Sequence, residues 1–305
     1  MLALLFLWLG FSGYQIAGRV VPPAEASVRL DGVASPFAAS TLSDASGSFR
    51  FHHIEPGPYT VTVFVPGRGE THKTIDVGPR TADAKGNVDV AVKLDDSTLT
   101  PDQRSLISVR ELSISGRARK EYEEAQNKLS KRDVAGCVAH LQRATAIAPQ
   151  FTAAWNQLGT IAYEQRDYKT AERDFRQALL ADPEAYAPLV NLGGVLMNLG
   201  DYQQAWDYNF HAVLKRPNDA LANAQLGIAC FSLHKMDVAE KYLLEAEKLD
   251  PGHFSHPQLF LAQIYVRRRD WNRAAGQLEE FLKYHPDWPP APKLREKIQE
   301  LREMR

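Results

Sequence analysis

Five prolines recur from the middle of this 305-residue chain onward: Pro149, Pro183, Pro217 and Pro251 stand 34 residues apart, and Pro286 follows after 35. A period of that length means a stack of small, similar units. The same columns precede each proline. One unit runs Trp155, Leu158, Gly159, Ala171, Phe175, Ala178, Pro183; the next has Leu189, Leu192, Gly193, Ala205, Ala212, Pro217; a third has Leu226, Gly227, Ala239, Leu243, Ala246, Pro251. The outer units are degenerate. The first keeps Leu141 and Ala144 but has Ala125 in the glycine column, and the last keeps Leu261, Ala262 and Ala274 after a one-residue insertion. Within a unit Trp155, Leu158, Gly159 and Ala162 fall at i, i+3, i+4, i+7, the apolar stripe of a helix. Ala171, Phe175 and Ala178 mark a second stripe after a turn at Arg166-Asp167-Tyr168. Each proline ends the second helix, because the residue before it avoids helical dihedrals. A lone hairpin of this kind cannot bury its own face, so the units must stack.

These columns resemble the tetratricopeptide repeat (TPR). The resemblance implies an all-α solenoid of about five helix-turn-helix repeats over residues 117–288 (117–150, 151–184, 185–218, 219–252 and 253–288), closed by a charged capping helix over 289–305 with Leu294, Ile298 and Leu301 inside. It also implies a partner: in this family the inner surface, lined by the first helices, binds an extended peptide or a helix. About 100° from the core stripe, the first helices carry Tyr122 and Gln126, then Asn156, Thr160 and Tyr163, then Val190 and Met197, then Ile228 and Phe231, and lastly Gln263. These ten form the expected groove. Members that clamp a terminal carboxylate use Lys, Arg and Asn here; Tyr122 and Asn156 stand where clamp lysines are expected. The stripe reads instead as an apolar ladder for a peptide or amphipathic helix.

Residues 14–95 follow a different rule. Ile16, Gly18 and Val20 alternate with polar neighbours, Val28 and Leu30 follow, Phe49 and Phe51 flank Arg50, and Tyr59, Val61, Val63 and Val65 share one face. Short period-2 runs separated by Asp44-Ala45-Ser46-Gly47 and Pro56-Gly57-Pro58 predict an all-β sandwich. The run from Asp44 to Val63, with Gly47, Phe49, Phe51, Ile54, Pro56, Gly57, Tyr59 and Val61, resembles the carboxypeptidase regulatory-like domain. The resemblance implies a transthyretin-like sandwich, grouped with carbohydrate-binding folds and without catalytic residues of its own. An alternative function follows: a sugar- or cell-wall-binding protein with the ligand on the sandwich. Phe49, Phe51 and Tyr59 sit in the alternating pattern, however, and are expected inside. The fragment from Gly67 to Thr74 lacks the Gly-Lys-Ser/Thr-helix order of a phosphate loop. His52 and His53, adjacent in a strand, are expected on opposite faces.

Residues 96–116 read as a linker lying extended against the first helices, since Leu106 to Ile114 is too apolar for a free connection. Residues 1–13 carry an apolar run from Met1 to Phe11, about the length of a secretory signal core; an uncleaved membrane anchor is the competing reading. Export to the periplasm, envelope or exterior is expected. With 36 Lys plus Arg against 37 Asp plus Glu, the chain has no excess charge to attract a nucleic acid. Two cysteines exclude a disulfide framework; Cys137 and Cys230 occupy small-residue columns of the repeats. No nucleophile elbow, HExxH motif or dinucleotide fingerprint appears, so no enzyme, cofactor or metal is expected. His253 and His256, three apart, lack a third ligand, and Arg267-Arg268-Arg269 is read as a solvated helix end. The expected whole is a non-catalytic interaction scaffold.

Overall fold

A computed structural model describes residues 13–33, 37–65, 69–94, 113–286 and 288–304. The expectations for the N-terminal apolar run and for most of the linker, residues 96–112, lie outside the described residues. Ile114, at the linker's end, is buried against Ala118 and Ala148.

The first domain has seven strands: β1 (Tyr14–Val21), β2 (Ser27–Gly32), β3 (Ala38–Leu42), β4 (Ser48–Ile54), β5 (Gly57–Val65), β6 (Gly69–Val77) and β7 (Asn87–Lys93). They form one sheet ordered β4-β1-β7, with β1 and β7 parallel, and an antiparallel sheet ordered β3-β2-β5-β6. The alternation does what it predicts. Ile16, Val28, Leu30, Val61 and Val63 are fully buried between the sheets, together with Phe49, Phe51 and Tyr59. Gly18 is required by its neighbour, since a Cβ there would lie 2.0 Å from the Phe49 ring. The histidine pair departs from expectation. His53 has φ +58° and the β1–β4 register slips between Tyr14 and Ile16, so a bulge turns both His52 and His53 outward.

The second domain contains eleven helices among the described residues: α1 (Gly116–Ser130), α2 (Val134–Ile147), α3 (Thr152–Glu164), α4 (Tyr168–Ala181), α5 (Tyr186–Asn198), α6 (Tyr202–Lys215), α7 (Ala220–Ser232), α8 (Met236–Leu249), α9 (Pro257–Arg267), α10 (Trp271–Tyr284) and α11 (Ala291–Glu303). Odd-numbered helices up to α9 are the first helices of five hairpins, and α11 is the cap. The glycine column lets the paired helices touch: a Cβ on Gly159 would lie 2.7 Å from the Phe175 ring, and one on Gly227 would lie 2.7 Å from Leu243. The small column, Cys137, Ala171, Ala205, Ala239 and Ala274, is fully buried. Each hairpin turns through a residue with positive φ (Arg132, Arg166, Gly200, His234, Arg269). An aspartate then caps the second helix in four of five cases: Asp133, Asp167, Asp201 and Asp270 accept from backbone N–H groups. Trp155 is half-buried rather than core, because its indole N–H reaches out to the Pro149 carbonyl at 2.9 Å.

The two domains meet along one seam. Strand register places Ala38, Arg29, Asp31, Glu70, Thr74 and Asp76 on the outer face of the four-stranded sheet, and that face lies against the solenoid. Ala38 packs with Ala125 and Leu129 of α1. Arg132 sits 5.1 Å over the Phe37 ring and pairs with Glu55. At the other end the Thr74 N–H donates to Asp250 Oδ2 at 3.0 Å, His285 Nδ1 is 3.0 Å from Asp76 Oδ2, and Arg80 donates to the Pro286 carbonyl. Between these ends Arg216 reaches Glu70 at 3.4 Å. The seam thus starts at the C-terminal ends of the first helices and crosses to the turns between repeats.

Candidate functional site

The crossing seam divides the expected groove. Tyr122 and Gln126, on α1, lie beneath the sandwich. The Tyr122 ring is 5.0 Å from Phe151, with Arg29 and Asp31 of β2 near its hydroxyl, and burial raises its pKa. The Gln126 side-chain nitrogen is buried without a hydrogen-bond partner among the described residues. In the middle, Asn156 Oδ1 accepts from Asn191 at 3.0 Å, Thr160 donates to the Asn156 carbonyl of its own helix, and Val190 is buried in the solenoid core.

The remaining expected residues lie beyond the cover, near the C-terminal ends of the first helices. Tyr163 is 36% exposed, its ring stands 5.6 Å from Tyr168, and its hydroxyl accepts from Asn198 at 3.2 Å. Met197 and Ile228 are half-buried. Phe231 meets Phe260 edge to face at 5.5 Å and carries the Arg267 guanidinium 4.6 Å from its centroid. Gln263 is exposed and bonds only within its own helix, to Leu259. Val266, also 36% exposed, extends the row. The result is an open strip of aromatic and aliphatic side chains crossing repeats two to five.

Sequence reading missed what borders this strip. The arginine run is not simply solvated: Arg268 is tied to Asp237 and Glu240, while Arg267 lies on Phe231 and touches Met236 Sδ at 3.6 Å. Lys235 replaces the capping aspartate, makes no cap bond and stacks 4.9 Å from the Trp206 ring. That substitution was visible as a break in a 34-residue column. Glu164, at the edge of the covered part, has its carboxyl pushed up to about 8, first by burial and then by the Asp31 carboxylate across the seam. A further cleft of about 530 Å³ opens between α2, α3 and α4, floored by Val138, Leu158 and Ile161 and edged by Trp155 and Asp174.

Among the described residues no group of three or more His, Cys, Asp or Glu side chains is arranged to hold a metal, and no helix is long and apolar enough to cross a membrane.

Residues 15–93 match the carboxypeptidase regulatory-like domain, and residues 156–209 match the tetratricopeptide repeat. A search of curated proteins finds no match. Among solved structures, PilW, described as a widely conserved type IV pilus biogenesis factor, shares 20% identity at TM-score 0.54, covering 61% of this chain and 86% of its own. YrrB, described as a TPR protein with an unusual peptide-binding site, shares 23% at TM-score 0.50 over 59% and 92%. MamA from Desulfovibrio magneticus RS-1 shares 20% at TM-score 0.51 over 58% and 99%. At these identities the likeness is one of fold: a tetratricopeptide-repeat solenoid.

Proposed function

We propose that this chain, in which a carboxypeptidase regulatory-like domain precedes a tetratricopeptide-repeat solenoid, is a non-catalytic scaffold that holds an apolar segment of another protein on the open strip of its first helices. The carrying observation is the contrast within one surface: Tyr122 and Val190 are already packed by this chain, whereas Tyr163, Met197, Ile228 and Phe231 keep apolar area in contact with solvent. A row of such groups, with at least one in each of repeats two to four, fits a segment that runs along the repeats and buries side chains step by step. YrrB, named for a peptide-binding site on the same fold, makes a peptide the natural first candidate. The apolar run from Met1 to Phe11 supports action in the envelope or outside the cell. Burial of Phe49, Phe51 and Tyr59 leaves the sugar-binding alternative without those rings as a stacking platform.

The test is photo-crosslinking from position 231 in the full chain, with the exposed Leu180 position on the second helix α4 as control, followed by the double variant Tyr163→Ala, Met197→Ala in the background that carries the crosslinker at 231. A partner captured at 231 but not at 180, and lost in the double variant at nearly unchanged melting temperature, is the expected result. Equal capture at both positions, or loss only alongside unfolding, would overturn the reading.

A further inference from the structure

The hydrophobic interiors of the two domains are separate. Among the described residues, Ala38 is the sandwich residue that joins a solenoid cluster. Apart from the Phe37 ring under Arg132, the rest of the seam is polar, and several of its buried atoms have no hydrogen-bond partner among the described residues: Gln126 Nε2, Glu164 Oε2, His256 Nδ1 and His285 Nε2. Each such atom costs free energy relative to its solvated state. A seam with little apolar area and unpaired buried polar groups is one that separates readily.

Its C-terminal end has a specific chemistry. The insertion in the last repeat puts His256 in a left-handed conformation (φ +51°), with its ring 4.6 Å from His285 and 5.2 Å from Phe281. His285 is 4% exposed and bonds to Asp76 of β6; His253 is also 4% exposed and accepts from the Ser255 N–H. Facing this cluster are His72, Thr74 and Asp76 from β6, Arg80 beyond it, Asp219 just before α7, Asp250 just after α8, and Lys283 and Tyr284 of α10. Burial, ahead of the surrounding charges, pushes His253 and His256 down to about 4.

We infer that the sandwich is a detachable cover on the groove, released at its His253–His256–His285 end when the surroundings turn acidic. His253 and His256, packed beside the buried His285 with Asp76 and Asp250 as the nearby carboxylates, resist taking up protons while they stay buried. Solvent access relieves them, so protonation favours the separated arrangement. Release would uncover Tyr122 and the neighbouring Gln126 on α1. This inference does not depend on which partner, if any, occupies the open strip.

Small-angle X-ray scattering of the full chain at pH 7.5 and pH 4.5, with circular dichroism on the same samples, tests it. The expected result is a larger radius of gyration at pH 4.5 with helix and strand signals intact. Asp76→Ala should produce the same expansion at pH 7.5, because His285 loses its acceptor. Because the carboxylates also titrate in acid, the variant His253→Asn, His256→Asn is needed; Asn tolerates the left-handed position. It should move the opening midpoint to lower pH. An unchanged radius at both pH values, expansion only with loss of secondary structure, or an unmoved midpoint in the double variant would each overturn the inference.

Discussion

The two ends of the seam are held by opposite chemistry. At the N-terminal end Ala38 packs on Leu129, and Glu164 faces Asp31; the titratable groups that matter are carboxyls, and one of them is kept protonated. At the C-terminal end His285 meets Asp76, and the groups that matter are the neighbouring His253 and His256, whose imidazoles burial keeps neutral. Both ends therefore suppress charge, but one suppresses negative charge and the other positive. A single seam thus resists protonation at one end and deprotonation at the other.

The comparison can be broken most severely through packing. Phe281 is fully buried beneath the histidine cluster. Phe281→Ala should cost about 3–5 kcal/mol, measured by urea unfolding, and should loosen the C-terminal end while leaving contacts at Ala38 in place. Acid comes next. His253 has a folded-state pKa of about 4 against 6.5 when free, so the unfolded chain binds the extra proton as pH falls through 6.5. Stability should decline from pH 6.5 to about 4, by on the order of 3 kcal/mol from this residue, and stay level below; a melting curve flat across that window would contradict it. Glu164 predicts the reverse slope. Its folded pKa, raised from 4.5 to about 8, means that the folded chain holds the proton longer, so this contribution is lost as pH rises from 4.5 to 8. Glu164→Gln should remove that alkaline slope without touching the acid one. The smallest effect belongs to the middle: Arg216→Ala breaks a pair with Glu70 that is more than a third exposed on both sides, and should change stability by less than about 1 kcal/mol.

Much of each domain was legible because each has its own period. The 34-residue columns fixed which helix faces pack, and the period-2 runs fixed which strand residues go inside. Their meeting was not legible. Arg29, Asp31, Thr74 and Asp76 read as ordinary solvent-facing residues of alternating strands, and alternation says which face is outward without saying what lies against it. The same limit applies to the groove: Tyr122 and Tyr163 occupy equivalent kinds of position on first helices, yet one lies beneath a domain that precedes it in sequence. Departures from the repeat were more informative. Lys235 in place of a capping aspartate borders the open strip, and the inserted residue before His256 builds the ledge on which β6 rests. Asn209, fully buried opposite Gly193 in a column held elsewhere by Phe175 and Leu243, has neither side-chain polar atom bonded among the described residues.

The small-residue column of the repeats has a consequence for reactivity. Cys137 is fully buried among Leu129, Leu141 and Leu158, and its thiol is pushed up to about 11 by burial; burial also raises that of Cys230. Since the thiolate is the species that attacks oxidants and alkylating agents, both sulfurs are silent in the folded chain. They answer a thiol reagent only when their own hairpin opens. One lies in the first repeat and one in the fourth, so their alkylation rates time the breathing of the two ends of the solenoid separately, without any label being introduced.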